Sequence, residues 1–224
     1  MAEIFDDWPE KYDQWFETPM GGLVREYESR LLLDMTRPAR GERILDVGCG
    51  TGIFTLDLLK AGARVTGLEL SRPMLRRAGR KTSGLPFSMI QGDMRGLPFA
   101  DRSFDKTVSV TAIEFVEDAR AAVAELFRVT RPEGSVVVAC LNSLSPWAKR
   151  RKAAAAEGHS IFQHARFRSP QEMASLASVP ARFRTAVHFQ KHDNPERAKS
   201  IETEGEAQGL TTGAFLVVRW DKPL

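Results

Sequence analysis

The sequence predicts an α/β fold, a parallel sheet with helices on both faces. Three observations carry this. Strand and helix patterns alternate along residues 43–141. Residues 63–70 and 135–141 are almost wholly apolar, as strands covered on both faces must be. Finally, Arg43-Ile44-Leu45-Asp46-Val47 runs straight into Gly48-Cys49-Gly50-Thr51-Gly52 and a helical pattern opens at Ile53. That order reads as a buried strand, a tight glycine turn and a helix N-terminus.

The elements follow in order. Ile4, Phe5, Trp8, Tyr12, Trp15 and Phe16 recur at helical spacing over residues 4–17, and Pro19, Gly21 and Gly22 break that helix. A second helix is expected over 23–35, ended by Pro38 and Gly41. After the strand at 43–47 come a helix at 53–60, a strand at 63–70 and a helix at 73–80 with Ser71 as N-cap. Strands at 87–91 and 104–110, a helix at 117–129 and a strand at 135–141 complete the alternation. Residues 142–168 turn polar and basic, a short helix follows at 170–177, and two late strands are expected at 183–190 and 214–220. The polar stretch 192–209 between them reads as a mobile loop. No internal repeat interrupts this, so 1–224 reads as one domain. It comprises an N-terminal helical lid (1–40), a binding core (41–141), an insertion with a helix (142–181) and a strand pair (182–224).

Bulk properties narrow the class. With 224 residues, 42% of them hydrophobic, the chain can bury one substantial core. A net charge of +3 is too small an excess to argue nucleic-acid binding. Two cysteines, Cys49 and Cys140, make neither a disulfide framework nor a metal set. The N-terminus has no signal-peptide pattern and no apolar run reaches transmembrane length. A soluble, cytoplasmic protein without membrane contact is expected.

Chemistry is expected beyond the C-terminal ends of the strands, where an open α/β sheet binds ligands. The glycines run G-x-G-x-G rather than the G-x-G-x-x-G of dinucleotide enzymes. Glu69 ends the second strand, where a carboxylate can accept both hydroxyls of a ribose, and fits either cofactor class. Gln91-Gly92-Asp93-Met94 follows the third strand, where an acid can accept from an adenine amine beside a backbone N–H.

With Asp46, Glu69 and Asp93 at successive strand ends, the chain resembles the class I S-adenosylmethionine-dependent methyltransferases. The resemblance covers roughly residues 40–141 and extends to Leu97-Pro98-Phe99, Phe104-Asp105 and the run from Leu126 to Gly134. The family usually has Pro-Gly-Gly where this chain has Pro132-Glu133-Gly134, remote from the cofactor. Tyr12-Asp13-Gln14-Trp15-Phe16, Thr18-Pro19-Met20-Gly21, Leu141-Asn142-Ser143 and Ser145-Pro146-Trp147 resemble its small-substrate type 11 branch. The resemblance implies a Rossmann-like, seven-stranded, mostly parallel sheet with the last strand antiparallel. It also implies S-adenosyl-L-methionine as cofactor. Gly48 and Gly50 would carry its methionine part, Asp46 its amino group, Glu69 its ribose, and Asp93 with the Met94 N–H its adenine. Cys49, Leu70, Thr111 and Tyr12 would complete the surroundings. Cys49 reads as a small buried turn residue rather than a nucleophile.

Such a reaction needs a nucleophile held in line with the methyl group and water excluded, and positioning of this kind supplies about 7–11 kcal/mol. Candidates for a base or a substrate contact are Glu114, which can equally be a helix-leading acid, Tyr12, His164 and His159. Lys149-Arg150-Arg151-Lys152 reads as a solvated helix face in preference to a phosphate patch. The expected partner is a small-molecule methyl acceptor, and a homodimer stays open. RNA or protein methylation and non-catalytic binding are the alternatives. An Asn/Asp-Pro-Pro-aromatic signature after Val110, which base methylation would favour, is missing.

Overall fold

The computed structural model describes residues 3–158 and 161–224, so His159 lies outside the described residues. In chain order the elements are α1 (Glu3–Asp6), α2 (Pro9–Glu17), α3 (Pro19–Thr36), β1 (Arg43–Val47), α4 (Ile53–Lys60), β2 (Arg64–Glu69), α5 (Arg72–Lys81) and β3 (Phe87–Gln91). They continue with β4 (Phe104–Val110), α6 (Ala119–Val129), β5 (Thr130–Leu141), α7 (Pro146–Ala156), α8 (Pro170–Ala174), β6 (Ala181–Ala186), α9 (Pro195–Ala207) and β7 (Phe215–Asp221). The seven strands form one sheet in the order β3-β2-β1-β4-β5-β7-β6. Strands β1 to β5 are parallel, and β7 runs antiparallel to both β5 and β6.

Alternation along the strands builds the two layers of core. Ile44, Val65, Val108, Val137 and Val217 face one way, joined by Leu31 and Leu32 of α3 and Leu58 of α4. Leu45, Val47, Val136, Val138 and Val218 face the other, joined by Val123 and Leu126 of α6. The strand order reverses between β1 and β4, so the tips of β1, β2 and β4 open onto one crevice.

Several boundaries differ from the sequence reading, each for a physical reason. The first helix is split, because Pro9 begins α2. α2 ends at Glu17, as the sequence indicates, but Pro19 and Gly21 also belong to the start of the next helix rather than to a loop before residue 23. Thr18 caps α3 by accepting the Gly21 N–H, with Pro19 in the first turn. Gly21 is glycine because α2 crosses there: a Cβ would stand 1.8 Å from the Trp15 carbonyl oxygen. β5 begins at Thr130, so the chain passes Pro132-Glu133-Gly134 within the strand, and Glu133 takes a left-handed conformation (φ 61°) where the register with β4 shifts. β6 is shorter than 183–190.

The largest correction is 192–209, which is not a loop: most of it is α9, capped by Asn194. Apolar periodicity is weak there because only Ala198 and Ile201 pack on the core and a polar group completes the docking. Glu202, fully buried, accepts the N–H groups of Val187 (2.9 Å) and His188 (2.6 Å). Val187 is held at φ 63°, a strained region for a β-branched residue. Among the described residues no helix is long and apolar enough to cross a membrane.

Candidate functional site

β1 ends in the turn that starts the site. Gly48 sits at φ 75°, and a Cβ there would come within 2.5 Å of the Ala112 Cβ. Only glycine combines that conformation with that approach. The Gly48 and Cys49 N–H groups donate to the Leu68 carbonyl at 2.7 and 3.1 Å, tying the turn to β2. At the tip of β2, Glu69 accepts from the Gly50 N–H (3.0 Å) and the Ser71 N–H (2.8 Å). One carboxylate therefore fixes two loops. Its pKa is raised by burial, against the pull of those backbone donors.

Asp46 is 1% exposed and accepts from the Thr55 hydroxyl at 2.6 Å. Burial pushes its pKa up to about 7, with Thr55 opposing and the Glu69 charge adding to the rise. Asp93, beyond β3, pairs with Arg95 at 2.6 Å. Hydrogen bonds from that guanidinium hold its carboxyl below the ordinary value despite some burial.

These tips open into one cavity of about 620 Å³. Asp46, Gly48, Cys49, Gly50, Glu69, Leu70, Asp93, Met94, Thr111 and Tyr12 all line it. Gly50 faces open space where a Cβ would meet nothing within 4 Å. Thr111, at the end of β4, holds a strained φ of 47°. The opposite wall is aromatic: Phe5, Trp8, Trp15 and Phe16 from the N-terminal helices, Phe115, Trp147 from α7, and Phe162. Edge contacts order it, with Phe5 on Phe115 (4.9 Å between centroids) and Trp15 on Trp147 (6.4 Å).

The N-terminal helices are latched over the cavity by polar contacts. Asp13, 6% exposed, accepts from Thr51 (2.7 Å), Arg77 (2.8 Å) and Lys81 (2.5 Å), and the Ser71 hydroxyl donates to Asp6 (2.7 Å). Burial alone would raise the Asp13 carboxyl; the three donors together outweigh it and lower its pKa.

Two predicted candidates stand elsewhere. Glu114 is 1% exposed and does not line the cavity; its Oε1 accepts the Leu141 N–H at 2.8 Å, and burial pushes its pKa up to about 7. It braces the end of β5. His164 is exposed on a 3₁₀ turn (Ile161–His164), and its neighbours Ile161 and Phe162 line the cavity instead. Tyr12 does line it. Burial and the Glu28 carboxylate raise its hydroxyl's pKa, and Thr111 opposes them.

Sequence reasoning passed over Glu28 and misread Arg151. Glu28 lies between Val24 and Leu31–Leu32 on the buried stripe of α3, and an acid in an apolar stripe was the signal. Arg151 was expected on a solvated face. It turns inward, its guanidinium 5.2 Å from the ring centroids of both Trp147 and Phe162. Among the described residues no group of three or more His, Cys, Asp or Glu side chains could hold a metal ion.

Comparison with known proteins agrees with this architecture. The methyltransferase-domain family matches residues 45–138. A demethylmenaquinone methyltransferase of Renibacterium salmoninarum is 37% identical over 139 residues, 62% of this chain and 57% of that protein. A malonyl-[acyl-carrier protein] O-methyltransferase of Serratia marcescens is 30% identical over 188 residues, 74% of this chain and 72% of that protein. The chain spans little more than half the length of several of these curated relatives. Among solved structures, a SAM-dependent methyltransferase of Thermotoga maritima superposes with a TM-score of 0.71 at 22% identity, covering 99% of this chain and all of that one. Phosphoethanolamine N-methyltransferase 2 of Haemonchus contortus, solved with S-adenosylhomocysteine, gives 0.71 at 15% identity over 100% of this chain and 60% of that one. At those identities the likeness is one of fold. Strand order, glycine turn and sequence relatives together show that the chain belongs to the class I S-adenosylmethionine-dependent methyltransferases.

Proposed function

We propose that the protein transfers the methyl group of S-adenosyl-L-methionine to a small, largely apolar acceptor. One observation carries the reading: three strand-tip carboxylates and a bare-backbone turn share a single cavity with an aromatic chamber. The residues fit the cofactor. Glu69 spends one lone pair of each oxygen on the Gly50 and Ser71 N–H groups, which leaves two for ribose hydroxyls. Asp46 is placed to take the amino group, the open face of Gly50 the methionine backbone, and Asp93 with Met94 the adenine.

The cofactor, when bound, supplies a methyl on a sulfonium, a leaving group that needs no further activation. The chain's task is then orientation and dryness. The aromatic wall excludes water and holds the acceptor, while the Asp13 and Asp6 latches keep that wall in place. The curated relatives are named for demethylmenaquinone and for malonyl-[acyl-carrier protein], and an aromatic chamber supports an acceptor with an apolar body. It supports a small molecule over RNA, since base stacking along a strand needs an open groove. Both cysteines are free and buried, which suits a reducing, cytoplasmic setting.

Calorimetry with S-adenosylhomocysteine tests this. Binding in the micromolar range is expected, and no heat at millimolar ligand overturns the reading.

A further inference from the structure

Among the charged groups at the aromatic end of the cavity that the cofactor reading leaves unused, Lys11 and Lys191 are exposed, and Glu28 and Arg151 turn inward. Glu28 of α3 is 7% exposed, lines the cavity and makes no hydrogen bond among the described residues. Arg151 of α7 lines it too, and its Nη1 is buried without a hydrogen-bond partner. The two lie within electrostatic reach of each other. Yet no ion pair within 4.0 Å joins them among the described residues. The other cation near Glu28, Arg25, is engaged with the Asp57 carboxylate (2.5 Å) and the Ile53 carbonyl (2.8 Å). A buried acceptor and a buried donor thus flank a gap in a chamber whose other charges, Lys11, Arg150 and Lys191, lie over the rings of Trp8, Trp147 and Trp15. Leaving both unmade is costly, and a ligand group that joins them recovers that cost.

Burial pushes the Glu28 carboxyl pKa up to about 7, so above that pH, where it is ionised, the ligand group must donate to a carboxylate and accept from a guanidinium at once. A hydroxyl does both. A carboxylic acid does both through its O–H and C=O. An ammonium can only donate, and Arg151 repels it. A methyl ether can only accept. Trp147 and Phe162 hold the guanidinium in place and offer an apolar bed beside it.

We propose that Glu28 and Arg151 form the head-group site for the methyl acceptor, and that the acceptor is an apolar molecule ending in an acidic hydroxyl, phenolic, enolic or carboxylic. This rests on the proposed transferase reading, but its test is separable from it. The protein is titrated with 1-naphthol, 1-methoxynaphthalene and 1-naphthylmethylammonium, each with and without saturating S-adenosylhomocysteine. Naphthol is expected to bind at least about tenfold more tightly than either analogue. Arg151→Met and Glu28→Leu each cut naphthol affinity about tenfold to a hundredfold while leaving the ether unchanged, so the preference disappears.

Equal binding of naphthol and its ether, no naphthol binding at millimolar concentration, or variants that weaken both ligands in proportion would overturn the head-group site. The wild-type comparison stands even if a variant fails to fold, and thermal melts identify one that does. S-adenosylhomocysteine that fails to bind while naphthol keeps its preference overturns the transferase reading alone.

Discussion

The two halves of the cavity are built in different ways. The cofactor half comes from consecutive strand tips: the β1 turn, Glu69 after β2, Asp93 after β3 and Thr111 after β4. Its key contacts are made by backbone, with N–H groups donating to Leu68 and Glu69. The acceptor half is side chain throughout, drawn from α2, α3, α7 and the 3₁₀ turn, elements more than a hundred residues apart in places. Geometry fixed by backbone tolerates almost no variation. A wall of aromatic side chains can change its occupant by substitution alone, as one fold hosting many substrates requires.

The sharpest way to break this comparison is Gly48→Ala. The added methyl clashes with Ala112 and sits at positive φ, costing about 2–5 kcal/mol. That lowers Tm by about 5–15 °C in a chain of this size and removes S-adenosylhomocysteine binding. Trp8→Phe on the aromatic wall should shift Tm by less than about 3 °C. Equal losses would mean that both halves are equally rigid.

Glu69→Ala comes next. It removes the proposed ribose acceptor and also frees the Gly50 and Ser71 N–H groups. Affinity for S-adenosylhomocysteine should fall about tenfold to a few hundredfold by calorimetry, while naphthol binding to the cofactor-free protein is unchanged. Unchanged cofactor affinity would show that the ribose lies elsewhere.

The same contrast explains what could be read from the sequence. A strand, a glycine turn and an acid at the next strand tip are local, and spacing alone displays them. Seven strands were legible as pattern, while the antiparallel last strand followed from the family resemblance. The acceptor half depends on where α3 and α7 meet, which no local pattern encodes. Glu28 was visible only as an acid in an apolar stripe, and Arg151 was hidden in a basic run whose neighbours Lys149 and Lys152 are exposed. Glu114 could be read as a base or as a helix-leading acid, because a buried acid after a strand looks the same in sequence whether it faces a ligand or, as its Oε1 does, an amide. The polar stretch 192–209 misled because α9 offers the core only Ala198 and Ile201, and the buried polar Glu202 supplies the rest of its docking.

A smaller effect concerns pH. Asp46 has its pKa raised to about 7, chiefly by burial. Its protonated form is favoured in the fold, so as pH rises from the ordinary carboxylate range toward 7 it subtracts stability from the ligand-free protein. A ligand ammonium needs the ionised form. S-adenosylhomocysteine should therefore bind about tenfold more tightly at pH 8 than at pH 6, and Asp46→Asn should flatten that dependence. A flat wild-type profile would move the amino group away from Asp46.

The smallest effect is expected at the adenine end. Arg95 engages both Asp93 oxygens, at 2.6 and 3.1 Å, and its own N–H donates to the same carboxylate at 2.9 Å. The pair is exposed, and such pairs contribute at most about 1 kcal/mol. Arg95→Ala removes a partner that orients Asp93 but leaves it ionised at neutral pH, so S-adenosylhomocysteine affinity should weaken by no more than about fivefold. Asp93→Ala should cost more, since the adenine amine then loses its acceptor. If Arg95→Ala proves the more damaging, the guanidinium, which also lines the cavity, is the group that meets the base. Adenine recognition would then rest on a side chain, and the division between a backbone-built half and a side-chain half would fail at this edge.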